Sequence, residues 1–284
     1  MAAAPRGACD THTHVFGEAS RFPMSPARGY TPPPASAEEM LALHRKLGVS
    51  RVVIVTPSIY GSDNAATLYG MAQYGKGARG VAVIDAQTSS AALQEMAGKG
   101  VRGVRMNLGG PGGAVAGAAE RLTEALDRVS GLGWHVQLYA GLNVVAAVEN
   151  LILRAPVPVV IDHVAGAVPA QGIGQAGFAS LLRVVQAGKA YVKVTHRFLP
   201  SGTGPEYRDA AAMLNALLAA NAERVLWGTD WPHPDSARVP GRKPTDLAPL
   251  EQVDDVAWLQ RMESWLGVAR QRVLVDNPAR LYGY

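Results

Sequence analysis

Cysteine is all but missing from this chain. The single Cys9 among 284 residues excludes an internal disulfide framework and any zinc site made of several thiolates. Long apolar runs are missing too: none approaches the roughly 18 to 20 residues that span a bilayer, so no membrane partner is expected. Charge of one sign is nowhere concentrated. The 27 basic and 23 acidic residues leave a formal net charge of only +4. There is no lysine-rich tract of the kind by which a nucleic-acid binder gathers positive charge on one face or arm. The mild basicity reads instead as an arginine-containing pocket for a small anion. The opening MAAAPRGACD lacks the apolar core of a signal peptide, which makes a cytoplasmic location the expectation.

What the chain does have is core material, 48% hydrophobic against 18% charged residues, the balance of a globular protein. Short runs rich in valine and isoleucine alternate with alanine- and leucine-rich stretches of helical spacing. The expected strands are Ala8–Val15, Arg51–Ser58, Gly80–Ala86, Val101–Leu108, Trp134–Ala140, Val157–Val164, Ala190–His196 and Arg224–Asp230. The expected helices are Ala37–Leu47, Asn64–Tyr74, Ser90–Gly98, Ala118–Ser130, Leu142–Arg154, Phe178–Ala187 and Glu206–Ala220. Such alternation argues for βαβ units and a parallel sheet. Eight units in this length match a closed α/β barrel, a (β/α)₈ TIM barrel, better than an open sheet. No shift in composition divides the chain, so residues 1–284 are expected to form one domain. Ser36 with Glu39 makes a capping box ahead of the first helix, and Gly48 ends that helix in the left-handed region. The proline-rich stretches Phe22–Pro34 and Trp231–Pro249 read as long loops, which belong at the C-terminal face of a barrel.

A barrel strand is buried on both faces and should be nearly all apolar. Polar residues at the C-terminal strand ends therefore mark a site. The first strand ends Asp10-Thr11-His12-Thr13-His14, and alternation sends His12 and His14 into the mouth together. The alternative for such a pair is burial with satisfied hydrogen bonds. VVIDHVAG places His163 at the end of the sixth strand. VLWGTDWPHP places Asp230 at the tip of the eighth, with His233 just beyond, and a buried aspartate there needs a histidine or water as partner. Arg105 and Asn107 share a face of the fourth strand, while Arg102 points outward. The seventh offers Lys193 or Thr195 to the interior, with Arg197 where strand becomes loop. Arginines around one mouth suit a carboxylate, which their planar fork binds bidentately. Ser58, Gln137 and Tyr139 complete the polar ring, each equally open to a structural role. His44 and His135 read as non-catalytic.

With HxH on the first strand, DHxxG at the sixth and GTDWPHP at the eighth, the chain resembles the amidohydrolase superfamily over its whole length. Within it, the resemblance is to the 2-pyrone-4,6-dicarboxylate lactonases and their sugar-lactone relatives. That resemblance implies hydrolysis of a small carboxylate-bearing lactone in aromatic- or sugar-acid catabolism. It implies Asp230 as general base and His12, His14 and His163 as the groups that polarise the carbonyl and stabilise the oxyanion. It also implies Tyr30, Ser58, Arg105, Tyr139, Arg197 and His233 as substrate contacts. Many superfamily members hold a divalent metal on the HxH pair, a fifth-strand histidine and the eighth-strand aspartate. Here the fifth strand offers Gln137 or Tyr139 instead, and His135 comes too early. No cofactor is therefore expected, although His12, His14 and Asp230 remain as ligands for zinc or manganese. A second arginine that follows the fourth-strand one in the pyrone-dicarboxylate enzyme is replaced here by Leu108-Gly109-Gly110-Pro111-Gly112-Gly113, which leaves a sugar-acid or muconolactone-like substrate open.

Three other readings stay open on the sequence: a metal-dependent amidohydrolase or decarboxylase, a sugar-lactone isomerase working by intramolecular hydroxyl attack, and a binder of small acids without catalysis. The expected assembly is a monomer or homodimer.

Overall fold

The computed structural model describes residues 4–109, 113–199, 202, 206–236 and 239–284. Eight parallel strands follow one another around a ring in sequence order: β1 (Cys9–Thr13), β2 (Arg51–Val55), β3 (Ala78–Ala82), β4 (Val101–Asn107), β5 (His135–Tyr139), β6 (Val159–Ile161), β7 (Ala190–Val194) and β8 (Val225–Trp227). This is the expected (β/α)₈ barrel. Most strands stop short of the expected C-terminal limit, because the polar residues there leave the ladder and turn into the mouth.

The helices of the outer layer are α1 (Ala37–Leu47), α2 (Ala65–Tyr74), α3 (Ser90–Gly98), α4 (Ala118–Ser130), α5 (Leu142–Ala147), α6 (Glu149–Arg154), α7 (Phe178–Gln186), α8 (Arg208–Asn221), α9 (Asp255–Leu266) and α10 (Asn277–Tyr282). The capping box of α1 is formed: the Ser36 amide donates to Glu39 Oε2 at 2.7 Å and the Glu39 amide to Ser36 Oγ at 3.2 Å. Gly48 closes that helix at φ 73°, which costs glycine little because it has no Cβ. Two expectations need correction. The single helix Leu142–Arg154 is two helices, broken at buried Val148 (φ −104°, ψ 10°), a β-branched residue whose packing overrides helical continuity. Helices α9 and α10 lie beyond the expected set. The first has an Asp254 cap that accepts from the Val256 and Ala257 amides and buries Trp258, Met262 and Leu266 at a spacing of four, so its signal was present.

Side-chain alternation divides the core in two. Val52, Ile54, Val104, Val136, Val192 and Val225 face outward and pack under the helices. Val53, Val55, Val81, Val160, Tyr191 and Leu226 face inward and, with Cys9 and Tyr282, make an apolar floor inside the barrel. β1 carries one residue more than β2 between its Asp10 and Thr13 pairings. This bulge changes the parity of the strand, so Cys9 joins the floor while His12 and His14, at odd separations from it, also point inward.

Among the described residues no continuous ladder joins β8 to β1. The seam is closed by single bonds: Thr11 Oγ1 to the Trp227 carbonyl at 2.7 Å, the His14 amide to the Trp231 carbonyl at 2.8 Å and the Asp230 amide to the His12 carbonyl at 2.9 Å. Buried Asp10 clasps both sides. Its Oδ1 accepts from the amides of His12 (3.1 Å) and Thr229 (3.0 Å), and its Oδ2 from Thr229 Oγ1 (2.6 Å) and His44 Nε2 (3.1 Å). His44 is thus tied into the seam through Asp10. Replacing Asp10 with alanine strands these buried donors. We expect Asp10→Ala to lower the unfolding free energy by about 3–5 kcal/mol, seen as a lower urea midpoint with unchanged slope; a loss within error would show that the clasp contributes nothing.

Candidate active site

The strand ends bring together side chains far apart in sequence. His12 arrives on β1 with His14 just beyond it, Arg105 and Asn107 on β4, Gln137 and Tyr139 on β5, Asp162 and His163 just after β6, Lys193 on β7 with Thr195 and Arg197 beyond it, and Asp230 after β8. A cavity of about 140 Å³ opens above them, lined by His14, Tyr30, Ser58, Arg105, Tyr139, His163, Arg197 and Asp230 among others. These are eight of the ten expected site residues. His12 lies directly beneath, fully buried. A larger cleft of about 300 Å³ lies between the ends of β3 and β4 and helix α4. The convergent imidazoles and carboxylates are at the barrel mouth, and we place the site there.

The tenth residue, His233, is not brought to the cavity. Its Nε2 is 3.0 Å from Asp255 Oδ2 and its ring lies edge-on to His196. It serves Asp230 through the backbone, its amide donating to the Asp230 carbonyl at 2.8 Å. Arg197 is held between loop and site: Nη1 donates to the Pro234 carbonyl at 3.0 Å and also lies 3.5 Å from Asp230 Oδ2. Of the Leu108–Gly113 stretch, residues 110–112 lie outside the described residues.

Asp230 is the centre of the upper layer. Its Oδ1 lies 3.5 Å from His12 Nε2 and 3.5 Å from His14 Nε2. Burial pushes its carboxyl upward, but the opposite charge beside it, that of Arg197 included, outweighs this and holds it well below the usual carboxylate range. His14 Nδ1 is 2.8 Å from the Val55 carbonyl, an acceptor, so that nitrogen carries the proton and neutral His14 presents a bare Nε2. His163 Nδ1 meets Thr195 Oγ1 at 2.8 Å. His163, Val164 and Ala165 form a left-handed run at φ 51°, 53° and 54°, and Asp230 sits at φ 67°. Each such residue costs roughly 1–2 kcal/mol. Strain of this kind collects where a side chain must be aimed.

Sequence reasoning passed over the centre of the lower layer, Asp162, although a carboxylate adjoining an apolar strand was a visible signal. Arg105 Nε (2.9 Å) and Gln137 Nε2 (3.1 Å) both donate to its Oδ2, while its Oδ1 lies 3.2 Å from His12 Nδ1 and 3.8 Å from Lys193 Nζ. Lys193 also donates to Gln137 Oε1 at 2.7 Å. Burial pushes the Lys193 amine down to about 8 against the opposing pull of Asp162. Among the described residues no protein acceptor meets either Nη of Arg105, and Tyr139 lies under the guanidinium at 4.8 Å. The free edge of the fork therefore belongs to the cavity.

Potential metal donors are present: one nitrogen or oxygen each from His12, His14 and Asp230, or from His12, Asp162 and His163, lie within 4.8 Å of one another. The charge balance opposes an ion. Three cations, Arg105, Lys193 and Arg197, already surround the two carboxylates Asp162 and Asp230. A divalent ion would add two further charges to a set that is already positive. On this count the residues do not fit a resident divalent metal.

An amidohydrolase family model matches residues 9–284. The chain belongs to the amidohydrolase family. It is 34% identical to a 2-pyrone-4,6-dicarboxylate hydrolase of Comamonas testosteroni over 98% of this chain and 90% of that protein. It is 32% identical to a 4-sulfomuconolactone hydrolase of Hydrogenophaga intermedia over 98% and 89%, and 30% identical to a D-galactarolactone isomerase of Agrobacterium fabrum over 98% and 91%. Among solved structures, an Agrobacterium tumefaciens protein in its apo form superposes with a TM-score of 0.82 at 28% identity, covering 99% of this chain and 97% of that one. This family member thus keeps the superfamily's HxH pair and eighth-strand aspartate while its fifth strand presents Gln137.

Burial also leaves a measurable signature. It drives the imidazole of His12 down to about 4, against Asp162, and that of His135 to about 3, and it drives His163 well below the ordinary value. In the unfolded chain each would titrate near ~6.5. A depressed histidine contributes stability that is intact above the unfolded value and lost as pH falls toward the folded one. We expect the urea unfolding free energy to drop by on the order of 3 kcal/mol between about pH 7 and pH 5.5, roughly 1 kcal/mol per imidazole. The depressed carboxyls of Asp162 and Asp230 add their loss only below about pH 4. Equal stability at pH 7 and 5.5 would mean that these rings are protonated in the folded barrel.

Proposed function

We propose that the chain opens a small carboxylate-bearing lactone by attack of water, with Asp230 as general base and without a metal. The observation that carries this reading is one cavity holding an ionised carboxylate, Asp230, beside Arg197 and the imidazoles on one side, and the free fork of Arg105 on the other. The hydrolase names of its relatives from Comamonas testosteroni and Hydrogenophaga intermedia support it.

The residues divide the work. The substrate carboxylate meets the Nη edge of Arg105, with Tyr30, Ser58 and Tyr139 around it. Asp230 and the bare Nε2 of His14 offer two acceptors to the two protons of a water molecule. His14 therefore suits holding the nucleophile better than donating to an oxyanion. As the water oxygen bonds to the lactone carbonyl carbon, Asp230 takes its proton. His163, with Nδ1 on Thr195, has Nε2 left to polarise the carbonyl and stabilise the oxyanion. When the ring C–O bond breaks, the leaving oxygen takes back the proton that Asp230 accepted from water. The product is the open-chain hydroxy acid. An ester needs less activation than an amide, so this apparatus suffices without a metal-bound hydroxide.

The deciding experiment offers the purified protein a panel of lactones, including pyrone dicarboxylate, muconolactones and aldaric and aldonic lactones, with metal content measured in parallel. Ring opening with water incorporated, no stoichiometric metal and no loss on chelation are expected. A rearranged lactone as product would identify an isomerase, and turnover that needs an equivalent of zinc or manganese would identify the metal-dependent reading. With the accepted substrate, Asp230→Asn should lower kcat at least about a hundredfold; near-normal turnover refutes the base. Arg105→Met should raise KM about tenfold or more for carboxylated lactones and little for uncharged ones, and an equal effect on both would remove the assigned role.

A further inference from the structure

We propose that Lys193 is a positioning residue that fixes His12 in the tautomer with its proton on Nε2, facing Asp230. Its effect on turnover rests on the hydrolase reading above; the tautomer itself does not.

The argument is one of donors and acceptors. Lys193 is fully buried, and an ammonium can only donate. Gln137 is oriented by its own Nε2 bond to Asp162 Oδ2, which turns its Oε1 to receive one Lys193 proton at 2.7 Å. Another Lys193 proton is directed at His12 Nδ1, 3.4 Å away. The rival partner for Nδ1 is Asp162 Oδ1, nearer at 3.2 Å, but that oxygen has no hydrogen-bond partner. The ring N–H direction misses it. A proton on Nδ1 would also point an N–H toward the ammonium. Nδ1 therefore keeps its lone pair and the proton resides on Nε2, which lies 3.5 Å from Asp230 Oδ1 with no hydrogen bond among the described residues.

It follows that the two histidines of the HxH pair hold opposite tautomers. His14 carries its proton on Nδ1, against the Val55 carbonyl, and is bare at Nε2. His12 is bare at Nδ1 and protonated at Nε2. Toward Asp230 the pair thus presents one acceptor and one donor. The donor places its partial positive charge beside the carboxylate at 3.5 Å, and the acceptor is left for water. A metal ion needs both Nε2 atoms bare, so the same lysine that orients His12 also withholds it as a ligand.

Long-range ¹⁵N–¹H correlation spectra of the protein labelled at histidine test this directly, with the His12 signals assigned by their loss in His12→Asn. The expected pattern for His12 is an unprotonated Nδ1 and a protonated Nε2; a protonated Nδ1 in the unaltered protein overturns the proposal. This holds whether or not any variant folds. In folded Lys193→Met, the His12 proton should move to Nδ1 and the protein should take up one equivalent of zinc that the unaltered protein refuses. kcat should fall at least about tenfold with KM changed less than about threefold. An unchanged His12 spectrum in that variant also overturns it. Absence of lactone turnover alongside the expected spectrum would remove the hydrolase reading and leave the tautomer assignment standing.

Discussion

A carboxylate without access to water stays charged only if its surroundings replace the hydration it has lost. Asp162 meets this condition through Arg105 and Gln137 at one oxygen and His12 and Lys193 beside the other. These partners come from β4, β5, β1 and β7, so one side chain ties most of the barrel together at the level just below the cavity. The arrangement is cooperative: removing any member leaves a buried group unpaired. The upper site inherits its geometry from this layer. Because Arg105 Nε is held by Asp162, the other edge of its guanidinium is aimed upward. Because Gln137 is oriented, Lys193 is directed at His12, and His12 in turn underlies Asp230.

The mouth completes that pattern electrostatically. With three cations, Arg105, Lys193 and Arg197, beside the two carboxylates Asp162 and Asp230, an anionic substrate improves the balance, whereas a resident dication would worsen it. The left-handed turn from His163 to Ala165 acts alongside. Backbone conformations unfavourable for Val164 and Ala165 hold the imidazole over the cavity, and the tightly packed strands on either side maintain them.

Much of this was legible in the residues. All eight strands, the α1 cap and seven of the eight expected residues at the cavity follow from alternation, punctuation and the placing of polar residues at strand ends; Tyr30, in the loop after β1, rests on the family resemblance alone. What escaped has physical causes. Asp162 stood visibly beside an apolar strand, but its role depends on four partners distant in sequence, and no local pattern distinguishes a bridging carboxylate from a capping one. His233 lies in a conspicuous motif, yet the chain turns at φ 63° there and directs its ring to Asp255, a pairing that only the fold creates. The break at Val148 has no proline or glycine to announce it. Helix α9 was visible in its cap and its Trp258–Met262–Leu266 stripe.

The histidines and the aspartate that face one another come from opposite banks of the β1–β8 seam. Elsewhere the staves are joined by regular ladders, but here the wall is held by a few isolated bonds and the Asp10 clasp. Any breathing of the barrel should therefore concentrate where the reacting groups meet. Amide hydrogens of His14 and Asp230 would exchange with solvent sooner than those midway along β4 and β5. The spacing between imidazole and carboxylate is then the most compliant dimension of a fold otherwise built for rigidity, and a ligand bridging both banks would act as the missing staple.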